Sequence, residues 1–221
     1  MNEEIERETW TVDPGVSLQS VLDEPSCPPM VRRALTGVHS WQVRNETSVD
    51  RTLRASQLMP QWIAALLALG ATVTLEGEDG SVDVPLNALA KRDVKGEVTA
   101  LHIPILAANT VWGEAHVART PSDDPIVAAF AVLTMSGGAV ETARLVLTGV
   151  WPEVVRLSEA GDALIGESLS GDRIADVAAA VEDEVEPVGD YLGSEAYRRA
   201  MASVLAWRAL EACLEQEVGD E

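Results

Sequence analysis

The sequence predicts an α+β protein, and three stretches of the chain carry that prediction. Residues 60–69 (PQWIAALLAL) are almost wholly apolar, start with proline and are followed by Gly70, as in a buried helix with a first-turn proline and a C-terminal glycine. Between residues 98 and 147 the pattern changes to alternating apolar strands. After residue 152 the pattern is helical. A run of strands followed by a run of helices is typical of the α+β class.

The first part of the chain mixes short helices with a hairpin. Residues 16–24 and 30–35 predict two short helices separated by a proline cluster. Residues 39–53 show no clean period and are interpreted as a loop or an irregular strand. Apolar alternation through residues 71–84, on both sides of a glycine-bounded turn, predicts a β-hairpin, and residues 86–90 predict a helical turn.

The second part predicts an antiparallel sheet and then two helices. The strand segments, of which the last two flank a Gly137-Gly138 turn, are residues 98–105, 111–117, 126–135 and 143–147. Apolar residues at helical spacing between Ile174 and Val185 predict an amphipathic helix. The last helix is expected to begin after an N-cap at Ser194. It carries two apolar faces, so either it is wedged against its own sheet or a partner subunit covers one face.

The charge of the chain excludes two classes of partner. Its 36 Asp and Glu residues outnumber 16 Lys and Arg residues, which gives a formal net charge of -20. Nucleic acids and anionic membranes are bound through basic side chains, so neither is an expected partner. Only two basic residues, Lys91 and Lys95, are lysines. This composition fits a saline cytoplasm, where salt screens self-repulsion, and it also fits a genome rich in GC.

The sequence also gives an expectation for localisation. The stretch MNEEIERET at the start is acidic and lacks an apolar segment, so a signal peptide is not expected. No run of 18 apolar residues occurs, so no membrane span is expected. We therefore predict a cytoplasmic protein.

Residue types that could carry chemistry are sparse. The histidines are His39, His102 and His116, and the last two lie in strand patterns without a placed carboxylate, which favours ordinary strand histidines over a metal site. Cys27 and Cys213 form no C-x-x-C pair and are expected to be buried free thiols. No nucleophile elbow, H-E-x-x-H, P-loop or G-x-G-x-x-G motif occurs. The residues alone predict no self-contained active site, and no metal or cofactor bound by cysteine or histidine.

Two stretches resemble a known family as wholes. Residues 29–86 contain the Arg-Asn pair of HSWQVRNETS and then WIAALLALGATVTLEGEDGSVDVPL. From residue 98 onward the chain contains ALHIPI, LTGVWPEVVR, ALIGESL and GDYLGSEAYRRAMASVLAWRAL in that order. Together, over about residues 10–215, they resemble the FAD-binding middle subunit of the molybdenum hydroxylases, a family that includes the xanthine dehydrogenases and the aerobic carbon monoxide dehydrogenases.

The resemblance implies two domains and a place in a larger complex. Residues 1–95 correspond to a partial FAD-binding-type subdomain, and residues 96–221 to a domain like the carbon monoxide dehydrogenase flavoprotein C-terminal domain. The family implies that electrons pass from a molybdopterin-binding large subunit, through an iron–sulfur small subunit, to FAD. The implied role is that of an oxidoreductase component that is not catalytic alone.

The same resemblance assigns candidate cofactor-binding residues. Those that match the family's RN-x-[AT]-[ST] motif are Arg44, Asn45, Thr47 and Ser48. The GGN turn that follows in the family falls on residues 50–52, which are Asp-Arg-Thr here. Glycine lets a backbone approach a phosphate, whereas side chains obstruct it and the aspartate adds a negative charge. The family's AGGTDL-like first glycine loop has no counterpart in this sequence. These departures predict that the chain binds FAD weakly or not at all.

Three functions therefore stay open on sequence grounds. The first is the flavoprotein-type middle subunit of a molybdenum hydroxylase. The second is a non-catalytic relative of that subunit, acting as an assembly or interaction module, since a fold can outlive its chemistry. The third is a plain binding domain whose resemblance to the family is accidental.

Overall fold

A computed structural model describes residues 8–36, 39–78, 80–90, 96–120 and 123–219. Within these ranges the helices are α1 (Leu18–Asp23), α2 (Pro29–Thr36), α3 (Trp41–Glu46), α4 (Val49–Arg54), α5 (Pro60–Leu69), α6 (Leu86–Ala90), α7 (Gly171–Glu184) and α8 (Glu195–Gly219). The strands are β1 (Thr9–Val12), β2 (Thr72–Gly77), β3 (Gly80–Pro85), β4 (Glu97–Pro104), β5 (Thr110–Val117), β6 (Val127–Ser136), β7 (Ala139–Thr148) and β8 (Val155–Ser158). Both sheets are antiparallel, and helices come before and after the run of strands β4–β8, so the predicted α+β class is confirmed.

The first sheet has the strand order β1-β4-β2-β3. β2 and β3 form the predicted hairpin, with Gly77 opposite Gly80. β4 lies between β1 and β2 and pairs with both. The expectation that β4 shares a sheet with the strands after it is therefore wrong. The alternation of β4 shows that it is a strand, but its pairing partners are set by long-range contacts that alternation does not report. The domain boundary between residues 95 and 96 stays a prediction.

The second sheet has the strand order β5-β6-β7-β8 and is antiparallel throughout. Gly137 and Gly138 connect β6 to β7 with φ angles of 60° and 81°, left-handed values that favour glycine, which confirms the predicted turn. The edge strands β1 and β8 were not predicted from the sequence. Each has only 4 residues, too few for alternation to stand out.

The second sheet is the middle layer of the molecule, because β6 is buried on both faces. One face of β6 joins the core around α5 and the first sheet through Ala128, Phe130 and Val132. The other face joins the core around α7 and α8 through Val127, Ala129, Ala131 and Leu133. This double burial explains why β6 is almost continuously apolar, as is usual for a strand covered on both sides.

Helix α5 fills the space between the two sheets. It starts with Pro60 in its first turn and ends at Gly70, whose φ of 77° is left-handed, as predicted. Apart from Pro60, every residue of α5 is buried. An additional Cβ at Gly70 would lie 2.8 Å from the guanidinium carbon of Arg144 on β7, so this helix end also packs tightly against the second sheet.

Most of residues 39–53 are helical, so their interpretation as a loop or irregular strand is wrong. They hold α3 and α4, which have N-caps at Ser40 and Ser48. Each helix is only 6 residues long. The side chain of Trp41 in α3 is 66% exposed. Helices this short and partly exposed do not show an apolar period, and capping serines are the signal that identifies them.

The C-terminal helices cover the outer face of the second sheet. Helix α7 buries Ile174, Val177 and Val181, which confirms the predicted amphipathic face. Helix α8 approaches β5 so closely that a Cβ at Gly113 would lie 2.0 Å from the carbonyl oxygen of Ala209. Helix α8 therefore packs against its own sheet, which is one of the two arrangements that the sequence left open. Among the helices of the described ranges, none combines the length and apolarity that a membrane crossing requires.

Candidate functional site at helices α3 and α4

The predicted cofactor-binding residues lie where α3 passes into α4. Arg44 and Asn45 are in α3, Thr47 is its C-cap, and Ser48 is the N-cap of α4. The structure thus brings Thr47 and Ser48 together at one helix junction and places the other two a turn earlier. Their role as cofactor ligands stays a prediction. The contacts of each side chain show whether its polar groups are already engaged within the protein.

Arg44 holds neighbouring segments of the chain together. Its Nε donates to Oε1 of Gln19 in α1 at 2.8 Å, and one terminal nitrogen donates to the carbonyl oxygens of Leu35 and His39. Three donors of the guanidinium are therefore engaged by protein acceptors. Burial lowers the pKa of His39, while the Asp124 carboxylate opposes that shift and the Arg44 cation adds to it.

The other three residues also bond within the protein. The side-chain amide of Asn45 donates to the carbonyl oxygen of Trp41 at 2.8 Å, on the exposed side of α3. Thr47 is buried, and its carbonyl oxygen accepts from the amide of Leu18 at 3.0 Å. The Oγ of Ser48 accepts from an amide of α4. These contacts stabilise the α3–α4 junction.

Residues 50–52, where the family turn would fall, belong to α4. Nε of Arg54, one turn along the helix, donates a bifurcated hydrogen bond to the two carboxylate oxygens of Asp50, at 2.8 and 2.9 Å. The hydroxyl of Thr52 is buried; it donates to the carbonyl oxygen of Val49 at 2.7 Å and accepts from Nε1 of Trp62 at 2.9 Å. Thr52 therefore connects α4 to the core helix α5.

A groove of about 730 Å³ opens beside the C-terminal end of α4. It lies between the segment α4–α5, helix α6 and the chain around β8. Its apolar lining includes Ile63 and Leu67. Its polar side chains are Arg54, Ser56, Gln57, Asn87, Glu153, Arg156 and Glu159.

One of these polar side chains stacks on an aromatic ring. The guanidinium carbon of Arg156 lies over the ring of Trp151, at 5.1 Å from the centroid. Sequence reasoning did not find this groove, because its two sides come from segments about 100 residues apart.

Gln61 is a further polar residue close to this region in sequence, and it lies in the first turn of α5. It is buried, and its Oε1 has no hydrogen-bond partner among the described residues. A buried acceptor without a donor is unfavourable.

His102 joins a hydrogen-bonded row that crosses all four strands of the first sheet. Its Nδ1 lies 3.0 Å from the hydroxyl of Thr11 in β1, and its Nε2 lies 2.8 Å from the hydroxyl of Thr74 in β2. Thr74 in turn donates to the carboxylate of Asp83 in β3 at 2.5 Å. Both ring nitrogens thus bond to neighbouring strands, and His102 has the structural role that the sequence favoured. Within the described residues, no group of three or more His, Cys, Asp or Glu side chains could hold a metal ion.

Both cysteines are buried, as expected from the sequence. Burial raises the pKa of the Cys27 thiol to about 11, and the positive charge of Arg32 opposes this shift. Burial also raises the pKa of the Cys213 thiol. Both groups are therefore protonated at neutral pH, and neither has the thiolate character of a reactive cysteine.

Comparison with known proteins finds a family that the second half of the chain matches. Residues 115–213 match the CO dehydrogenase flavoprotein C-terminal domain. The match begins within β5 and ends within α8, so it takes in the second sheet and both C-terminal helices. The resemblance seen in the sequence is thereby confirmed.

Medium chains of known dehydrogenases are similar over more of the sequence. The glyceraldehyde dehydrogenase medium chain of Sulfolobus acidocaldarius is 27% identical over 190 residues, which cover 83% of this chain and 67% of that relative. The carbon monoxide dehydrogenase medium chain of Hydrogenophaga pseudoflava is 26% identical over 193 residues, covering 83% of this chain and 66% of the relative. The chain thus spans about two thirds of the length of these relatives.

Solved structures share the fold over nearly the whole chain. Carbon monoxide dehydrogenase from Hydrogenophaga pseudoflava superimposes with a TM-score of 0.82 at 23% identity, covering 94% of this chain and 76% of that chain. Quinoline 2-oxidoreductase from Pseudomonas putida 86 gives a TM-score of 0.79 at 24% identity, with 94% and 75% covered. The fold likeness extends to the first sheet and to helices α1–α6, which precede the matched domain.

Proposed function

We propose that this protein is a middle-subunit component of a molybdenum hydroxylase or dehydrogenase complex. The observation that carries the proposal is the two-sheet fold, which matches carbon monoxide dehydrogenase with a TM-score of 0.82 over 94% of the chain. The 27% identity to a dehydrogenase medium chain over 190 residues supports the same role at the level of sequence. In this role the chain is an oxidoreductase component and is not catalytic alone.

The proposed partners are a molybdopterin-binding large chain and an iron–sulfur small chain. The name "medium chain" of the relatives describes one component of such an assembly. The substrate of the complex would be selected by the large chain, where the molybdenum chemistry takes place. FAD is the cofactor that the family implies.

The experiment is purification of the affinity-tagged full chain from its native host under gentle conditions. Co-eluting chains are identified by mass spectrometry, and molybdenum and iron are measured by inductively coupled plasma mass spectrometry. We expect a large chain and a small chain in constant ratio with the tagged protein, together with both metals. An unrelated acidic protein with the same tag is the control for nonspecific capture. A strictly monomeric protein, free of co-eluting chains, would contradict the proposal.

A second candidate is a non-catalytic relative that serves assembly of the complex. The hydrogen bonding of α4 favours it, because the backbone at the family's flavin turn is engaged within the protein. Both candidates predict co-purification with partner chains. They differ in flavin content, which absorbance near 450 nm of the purified complex measures directly.

A further inference from the structure

The N-terminal end of α4 is covered by an earlier part of the chain. An anion bound at a helix N-terminus needs free backbone amides that point toward it. The amide of Val49 donates instead to the carbonyl oxygen of Val16 at 3.0 Å, and the amide of Asp50 donates to the carbonyl oxygen of Pro14 at 2.8 Å. Ser17 also forms a β-bridge with Ser48. The segment from Pro14 to Ser17 therefore occupies the space that a phosphate would need.

The next two amides of α4 are engaged by its own N-cap. The amide of Arg51 donates to Oγ of Ser48 at 3.3 Å, and the amide of Thr52 donates to the carbonyl oxygen of Ser48 at 3.4 Å. All four amides from residue 49 to residue 52 thus have acceptors within the protein. A dinucleotide phosphate placed here would have to break these bonds and separate α4 from the segment that covers it.

The charges at this end of α4 also oppose an anion. The carboxylate of Asp50 lies in the first turn, where it interacts favourably with the helix dipole and occupies the place of an anionic ligand. The guanidinium of Arg54 pairs with that carboxylate, and this hydrogen bond raises the pKa of Arg54. Arg51 is exposed and is the one basic side chain of residues 50–52 that could meet a phosphate.

The side chain of Thr52 makes hydrogen bonds within the core. Its hydroxyl is fully buried between the carbonyl oxygen of Val49 and Nε1 of Trp62, and Trp62 is itself 1% exposed. A buried indole N–H needs an acceptor. Thr52 supplies that acceptor, so the side chain at this position is required by the core.

We infer that residues 48–54 form a structural helix whose backbone amides are all engaged within the protein, so that it does not bind the pyrophosphate of a flavin dinucleotide, and that Thr52 serves there as the hydrogen-bond acceptor of Trp62. The comparison with a flavin turn rests on the proposed family role. The closed hydrogen bonding and the Thr52–Trp62 contact are properties of this chain and stand without that role.

The first test is titration of the purified full chain with FAD and separately with ADP, followed by flavin fluorescence and by calorimetry. We expect no binding tighter than about 1 µM for either ligand. Arg51→Ala is the probe variant, because Arg51 is exposed and its loss leaves the core unchanged. If the wild-type chain binds FAD and Arg51→Ala weakens that binding tenfold or more at unchanged Tm, the inference is overturned. FAD binding that Arg51→Ala leaves unchanged would locate flavin elsewhere and would support it.

The second test asks whether residues 50–52 stabilise the fold or bind a ligand. Replacing residues 50–52 with Gly-Gly-Asn, the family pattern, should lower Tm and leave FAD affinity unimproved. Thr52→Val removes the acceptor of Trp62 and should lower Tm by several degrees, whereas Thr52→Ser keeps the hydroxyl and should recover most of that loss. A tenfold gain in FAD affinity in the Gly-Gly-Asn variant, or equal Tm for Thr52→Val and the wild type, would overturn the inference. Neither result depends on whether partner chains co-purify, so failure of the proposed function is detected separately.

Discussion

Arg198 is the side chain whose loss should destabilise the molecule most specifically. It lies in the first turns of α8, and only 7% of its side chain is exposed. One terminal nitrogen donates to the carbonyl oxygens of Ile126 and Gly149, at 2.7 and 2.8 Å. The other donates to both carboxylate oxygens of Asp190, at 2.8 and 2.9 Å. One guanidinium thus connects α8 to the start of β6, to the end of β7 and to the loop before α8.

The magnitude follows from what Arg198→Met leaves behind. Methionine fills a similar volume but donates no hydrogen bond. The carbonyl of Ile126, in a buried bond, then has no donor, which costs about 1–3 kcal/mol, and the partly buried carbonyl of Gly149 adds a smaller amount. The side chain of Asp190 is 42% exposed, so water can replace its lost partner at little cost. We expect a total loss of about 2–4 kcal/mol, or roughly 5–15 °C in Tm for a chain of this size.

Chemical denaturation and differential scanning calorimetry measure this loss. Arg208→Met is the matched control, because Arg208 lies on the exposed side of the same helix. It should change the free energy of unfolding by less than about 0.5 kcal/mol. Asp190→Asn, which removes only the exposed half of the contact, should fall between the two. If Arg198→Met is no less stable than Arg208→Met, the reasoning from buried carbonyls is wrong.

The pH dependence of this contact has a definite sign. The hydrogen bond from Arg198 lowers the pKa of Asp190, as do the backbone amides of Leu192 and Gly193 to a smaller degree, while desolvation opposes the shift. A carboxylate with a lowered pKa in the folded state contributes stability above its unfolded pKa, about 3.9, and loses that contribution as the pH falls through the lowered value. The stability gap between wild type and Arg198→Met should therefore be constant near neutral pH and shrink below about pH 4.

Three further outcomes follow from packing and charge. Gly113→Ala places a Cβ 2.0 Å from the carbonyl oxygen of Ala209 and should cost about 1–3 kcal/mol in chemical denaturation, whereas Gly171→Ala, in open space, should cost nothing. The carboxylate of Glu184 accepts hydrogen bonds from the Ser158 hydroxyl and from the amides of residues 159 and 160. Glu184→Gln replaces this charged acceptor with an amide and weakens these hydrogen bonds, so Tm should fall by a few degrees, corresponding to about 1 kcal/mol. With a net charge of -20, the wild-type Tm should rise between 10 mM and 1 M KCl, because the Debye length shrinks from about 30 Å to about 3 Å, and a flat or falling Tm would contradict a saline adaptation.

The sequence predicted the elements whose structure depends on residues close together in the chain, such as turn glycines and first-turn prolines. Helix α5 was predictable because a proline fits its first turn, a left-handed glycine ends it, and its residues are apolar on every side. The β6–β7 hairpin was predictable from paired glycines between alternating segments. Helices α3 and α4 were missed because 6 residues cannot show a period. Their signal was the pair of capping residues, Ser40 and Ser48, each of which accepts a hydrogen bond from an amide three residues later.

The candidate site was predictable only as a stretch of sequence, because its chemistry depends on long-range contacts. Arg44 matches a family motif, yet its donors are engaged by Gln19, 25 residues earlier, and by carbonyl oxygens of α2 and the following segment. The groove joins Arg54 and Arg156 across the interface of two layers. No periodicity in the sequence reports which segments meet there. The resemblance agrees with the medium chains that are similar in sequence, and the hydrogen bonds of the folded chain show which contacts Arg44 makes.

The matched domain depends on the helix layer that precedes it. Phe130 lies in β6, within residues 115–213, but its side chain is 2% exposed because it joins the core that includes α5. Burying such a ring contributes about 1.5–3 kcal/mol, so the sheet of the matched domain needs α5 to complete its core. Trp62 of α5 belongs to the same core and donates its indole N–H to the hydroxyl oxygen of Thr52. A change at residue 52 therefore acts on the core of the matched domain through Trp62, and this coupling gives Thr52 a structural role that requires no cofactor.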